Sequence, residues 1–100
     1  FLGRVFTEVE RQYALQYPDP APFLAARFAA KEAVAKVFKV GIGAALGWRS
    51  ISVAKGPKGD PVVLLDHQGQ ALLEAAGASR IELSLSHTRQ LAQAVAILCA

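Results

Sequence analysis

Cysteine is almost absent: Cys99 is the single one in 100 residues, so no disulfide can form within the chain. That usage suits a reducing compartment such as the cytoplasm, and no low-pKa setting marks Cys99 as a nucleophile. No apolar run approaches the roughly 18 residues of a membrane helix, and no charged n-region precedes an apolar segment as in a signal peptide. Neither histidine, His67 or His87, has thiol or imidazole neighbours at zinc spacing. Aromatic residues are scattered and the cations gather in one segment, which argues against a nucleic-acid groove. The formal charge of +3 is modest and favours acidic partners such as nucleotides or an acidic protein.

What is abundant is apolar surface. The length fits one domain, residues 1–100, which buries roughly two-thirds of its unfolded surface. The hydrophobic fraction of 53% exceeds the usual 45–50% or so. The excess is expected to lie in a subunit interface, because an uncovered apolar patch aggregates.

Residues Arg27-Phe28-Ala29-Ala30-Lys31-Glu32-Ala33-Val34-Ala35-Lys36 read as helix, rich in alanine and free of glycine and proline. Asp19 is the expected N-cap, with Pro20 in the first turn, and the helix is expected to reach about Lys39. Phe23, Leu24, Phe28, Val34, Val37 and Phe38 supply one buried stripe. Arg27 and Lys31 are four apart, as are Glu32 and Lys36, so each pair shares a face. A carboxylate among cations is either a solvated face or a site for a divalent metal and a polyphosphate.

Upstream, Thr7 and Glu10 form a capping-box pattern for a helix over about 8–16, broken by Pro18, Pro20 and Pro22. Downstream, the glycines at 41, 43 and 47 end the main helix. Residues 48–54 and 62–65 are expected to form a hairpin of two strands around the Gly56–Pro61 turn. His67 falls in a solvent-exposed turn, and a short helix follows over about 70–76, ended by Gly77. Residues 80–86 alternate, with Ile81, Leu83 and Leu85 on one face. Residues 91–99 are so apolar that a strand buried on both faces is expected, joined to the previous one by a hairpin at 87–90. The fold class is α+β: a small, mostly antiparallel sheet packed on a long helix.

Arg27-Phe28-Ala29-Ala30-Lys31-Glu32-Ala33 followed by Lys36 resembles the signature of the holo-acyl-carrier-protein synthases, which are small 4'-phosphopantetheinyl transferases. Phe6-Thr7 with Glu10, Gly41-Ile42-Gly43 leading to Trp48, Gly59-Asp60-Pro61, and Leu83-Ser84-Leu85-Ser86-His87 resemble further family motifs, in order. The resemblance implies a 4'-phosphopantetheinyl transferase-like fold and a homotrimer with active sites at subunit boundaries. It also implies transfer of 4'-phosphopantetheine from coenzyme A to a serine of acyl carrier protein, with release of adenosine 3',5'-bisphosphate and a role in fatty acid biosynthesis. Such attack on a pyrophosphate calls for a divalent cation, here magnesium, and for cations that hold the phosphates in line.

On that resemblance Glu32 is the metal ligand and, with Lys36, catalytic. Arg27, Lys31, Lys36, Gly41, Gly43 and His87 are the residues implied at coenzyme A. One element is missing. The family's opening Gly-x-Asp strand, whose aspartate is a second metal ligand, has no counterpart, and residues 1–4 match the end of the helix that follows it. The expectation is therefore either an enzyme lacking that N-terminal segment or a non-catalytic relative. The relative would be a coenzyme A-binding or subunit-interaction domain with an incomplete metal site.

Overall fold

The computed structural model describes residues 2–39, 47–87 and 92–100. Helix α1 (Leu2–Val5) leads into α2 (Glu8–Ala14), then the long α3 (Ala21–Val37). A single 3-10 turn, Trp48–Ser50, enters the hairpin of β1 (Ile51–Lys55) and β2 (Pro61–Leu65). Helix α4 (His67–Ala75) connects to the second hairpin, β3 (Arg80–His87) and β4 (Ala92–Cys99). Both pairs are antiparallel, with Val53 opposite Val63 and Leu83 opposite Ala96. Helix α3 packs across β4, β3 and β1. Its Val34 and Ala35 meet Ile51, and Leu65, Leu83 and Ala96 close over them. This is the α+β arrangement read from the sequence.

Local chemistry explains where the boundaries moved. The capping box at α2 is present: Glu10 N donates to Thr7 Oγ1 at 3.4 Å and Thr7 N to Glu10 Oε1 at 2.9 Å. Asp19 is not the N-cap of α3; Pro20 is, and Asp19 Oδ1 accepts from Ala21 N at 3.1 Å. Helix α3 stops at Val37, two residues before the expected end, and Lys39 turns the chain away with φ of 59°. A left-handed backbone at a residue other than glycine costs roughly 1–2 kcal/mol, so the turn depends on its surroundings. The expected strand at 48–54 begins only at Ile51, because Ser50 bonds back to Gly47, N to O at 3.0 Å.

Helix α4 starts three residues earlier than the alanine-rich run suggested. Asp66 caps it by accepting from Gly69 N at 3.0 Å, which places the exposed His67 in the first turn rather than in a loop. The largest departure is β4. It alternates instead of burying both faces: Val95 and Ile97 are 60% and 57% exposed. Helix α3 covers one side of the second hairpin, and nothing among the described residues covers the other. The link between β3 and β4, residues 88–91, lies outside the described residues.

Candidate functional site

Helix α3 carries its charges on two different faces. Phe23, Ala26, Ala30 and Val34 are buried, and Arg27 and Lys31 are buried in the same stripe. Glu32 and Lys36 are exposed. The i,i+4 spacing thus put Arg27 with Lys31 and Glu32 with Lys36, as expected, but sent the first pair inward.

Lys31 is satisfied by the protein itself. Its Nζ lies 2.7 Å from Glu10 Oε1, with both side chains 0% exposed, and donates to the carbonyls of Trp48 at 2.8 Å and Ile51 at 2.6 Å. Those contacts use all the donors of an ammonium group. The second carboxylate oxygen of Glu10 accepts from Val53 N at 2.8 Å. One acid therefore ties α2, α3 and β1 together. Burial pushes the Lys31 ammonium below its ordinary value, and the hydrogen bond and charge of Glu10 oppose that. No local pattern hints that the capping glutamate has a second partner 21 positions on, because the pair is closed only by packing.

Arg27 is different. Only 6% of it is exposed, its guanidinium carbon lies 4.4 Å over the Phe23 ring, and its buried Nε has no hydrogen-bond partner among the described residues. Burial lowers its pKa, opposed by Glu10, Tyr17 and Tyr13. It lines a cavity of about 280 Å³ with Lys55, Tyr17, Gly59 and Pro61. Lys55 Nζ donates to Tyr17 Oη at 2.9 Å at the same place. Gly59 has φ of 79°, a conformation suited to glycine, and so lets the turn present its backbone at the cavity. Two cations, an aromatic ring and a glycine turn around one cavity suit a phosphorylated ligand with a flat ring. Lys55 and Tyr17 were missed by sequence reasoning: one ends a strand, the other sits in a proline-rich connector, and only the fold brings them beside Arg27.

The remaining candidates are placed as follows. The backbone of His87 ends β3 opposite Ala92. Gly41 and Gly43 lie outside the described residues.

These contacts invite comparison with known proteins. A family model, the 4'-phosphopantetheinyl transferase superfamily, matches residues 1–96. A holo-(acyl-carrier-protein) synthase of Chlamydia pneumoniae is 44% identical over 96 residues, covering 96% of this chain and 75% of the relative. The chain belongs to the holo-acyl-carrier-protein synthase family of phosphopantetheinyl transferases. The crystal structure of the Neisseria meningitidis synthase superposes on 98% of this chain and 78% of its own, with a TM-score of 0.88 and 35% identity. A Helicobacter pylori synthase, solved in complex with coenzyme A, covers 98% of this chain and 80% of its own, with a TM-score of 0.83 and 30% identity.

Membership does not carry the expected metal chemistry with it. Among the described residues no group of three or more His, Cys, Asp or Glu side chains comes together to hold a metal ion. Glu32 is exposed without such a set, and Glu10, which packs on the same helix, is fully buried against Lys31. A single carboxylate by itself binds magnesium weakly, since that ion relies on one or two carboxylates together with substrate phosphates. The expectations of a magnesium cofactor and of magnesium-dependent transfer by this chain are corrected accordingly. Among the described residues, the side chains do not assemble a site for the ion.

Proposed function

We propose that this chain is a coenzyme A-binding domain of the phosphopantetheinyl transferase family with an incomplete metal site. The observation that carries the reading is Arg27, a largely buried cation that lines a cavity with Lys55, Tyr17 and Gly59. An anion entering the cavity would meet two cations in its wall, and charge-assisted hydrogen bonds to an anion are the strong ones. The coenzyme A complex of the Helicobacter pylori relative supports the choice of ligand. Lys36, exposed one turn beyond Glu32 and on the other side of α3 from Arg27, is implied at coenzyme A, with Gly41, Gly43 and His87, by the family motifs and not by this cavity. Lys31 does not reach the ligand in this reading, since its donors are already used. The partners are coenzyme A, an acyl carrier protein and further copies of the chain. A cytoplasmic location suits both the ligand and the single thiol.

A role in subunit interaction is favoured by a separate observation. Val95 and Ile97 stand side by side on the outer face of β4, more than half exposed, where a second subunit would cover them. The homotrimer implied by the family motifs is the proposed assembly.

Calorimetric titration with coenzyme A tests the main reading. Binding is expected, with the same affinity in magnesium and in EDTA, and with no mass gain on an acyl carrier protein incubated with the mixture. Absence of binding refutes it, and so does a metal-dependent gain of one phosphopantetheine.

A further inference from the structure

Lys55 ends β1 and is exposed, and among the described residues no carboxylate pairs with it. Its ammonium donates instead to a phenol, Tyr17 Oη, at 2.9 Å. An ammonium has three donors, so this one bond does not exhaust them. The phenol is itself fixed. Tyr17 N donates to Ala14 O at 3.2 Å, which ties the residue to the end of α2. Pro18 and Pro20 follow and restrict the backbone beyond it. The Tyr17 ring stacks on that of Phe23, with centroids 5.1 Å apart. Phe23 is buried and carries the Arg27 guanidinium carbon at 4.4 Å from its ring centre. Arg27, Phe23, Tyr17 and Lys55 therefore form one unbroken series of contacts, and all four line the cavity of about 280 Å³. None of the residues lining it is an acid. A lysine side chain has many rotamers, and ordering one at a binding site costs affinity. The bond to Tyr17 removes part of that cost before a ligand arrives.

We infer that Tyr17 is a positioning residue for the coenzyme A site: its hydroxyl holds the Lys55 ammonium at the cavity wall, so that an anion meets Lys55 and Arg27 already in place. The inference rests on the reading of the Arg27 cavity as the coenzyme A site. It gives the proline-rich connector after α2, which is outside the family motifs, a part in ligand binding. Lys55 touches the ligand in this arrangement, and Tyr17 acts through Lys55.

The test is a double-mutant cycle in coenzyme A affinity, measured by calorimetry on the native chain, Tyr17→Phe, Lys55→Met and the combined variant. Tyr17→Phe keeps the ring and its stack on Phe23 and removes only the hydroxyl. It is expected to weaken binding about fivefold in the native background and less than about 1.5-fold when Lys55 is already methionine. Equal losses in both backgrounds, the mark of a role that does not pass through Lys55, overturn the inference. Where the Lys55→Met chains bind too weakly to measure, side-chain relaxation in NMR decides. Tyr17→Phe should then increase the mobility of the Lys55 ε-methylene and leave that of the exposed Lys58 unchanged, and an unchanged Lys55 overturns the inference. Failure of the ligand reading shows separately. A native chain that does not bind coenzyme A, or a Lys55→Met chain that binds it with native affinity, refutes the cavity as its site and the inference with it. Weakened binding in Lys55→Met with native affinity in Tyr17→Phe overturns the positioning role alone.

Discussion

Replacing Lys31 by methionine removes one charge from a fully buried pair and leaves the Glu10 carboxylate without its cation. The volume is nearly conserved, so the cost is electrostatic rather than a cavity. Breaking a buried ion pair from one side typically costs about 3–5 kcal/mol. The carbonyls of Trp48 and Ile51 lose a donor as well, which belongs to the same figure because the contacts share one nitrogen. A domain of this size is stable by roughly 5–15 kcal/mol, so the variant retains a fraction of that and its midpoint falls by roughly 12–40 °C. Urea unfolding at pH 7 measures it directly, with Trp48 as the only tryptophan and its ring stacked 4.8 Å from that of Phe28. The double variant Glu10→Gln/Lys31→Met removes both charges and should lose under about 1.5 kcal/mol, since neutral replacement of a buried pair is often tolerated. A loss below about 1 kcal/mol in Lys31→Met alone would refute the reasoning, because it would mean that Glu10 finds water or another cation.

Further expectations follow from individual contacts. Asp66→Ala should cost about 1 kcal/mol at neutral pH through loss of the α4 cap. Burial raises the Asp66 carboxyl, but hydrogen bonds from the Gly69 and Gln68 backbone and from Ser50, with the charge of His67, outweigh it and the net shift is downward. The carboxyl's contribution is therefore present above its unfolded value and lost as the pH falls through the lower folded one, so Asp66→Ala and native stabilities should converge in acid unfolding titrations. Gly59→Ala should cost roughly 1–2 kcal/mol despite open space around its Cβ position, because its φ is 79°; equal denaturation midpoints would contradict this. Glu32→Gln and Lys36→Ala, both exposed, should each change stability by less than about 0.5 kcal/mol, while Lys36→Ala alone weakens coenzyme A binding in calorimetry. Val95→Ser with Ile97→Ser should shift sedimentation toward the monomer, and an unchanged assembly would show that this face is not the interface.

Much of this protein is determined by residue order alone. The α2 capping box, the alanine-rich run of α3, the two hairpins and the alternation of β3 follow from propensity, period and turn chemistry, which act over a few neighbouring residues. The family motifs are equally local. Short-range chemistry also set most errors of boundary, since one hydrogen bond accepted by Asp66 or donated by Ser50 shifts an element by three residues. The tertiary structure alone decided which face of α3 is buried. Arg27 and Lys31 look like surface cations in any helical projection, because nothing nearby in sequence neutralises them. Their burial depends on an acid from another helix, a backbone amide of β1, and an aromatic ring, brought together only when α2 and β1 close on α3. The metal site was misjudged for the same reason. A carboxylate among cations is visible in the sequence, but ligand sets are properties of space, and among the described residues no group of three or more ligating side chains forms around Glu32.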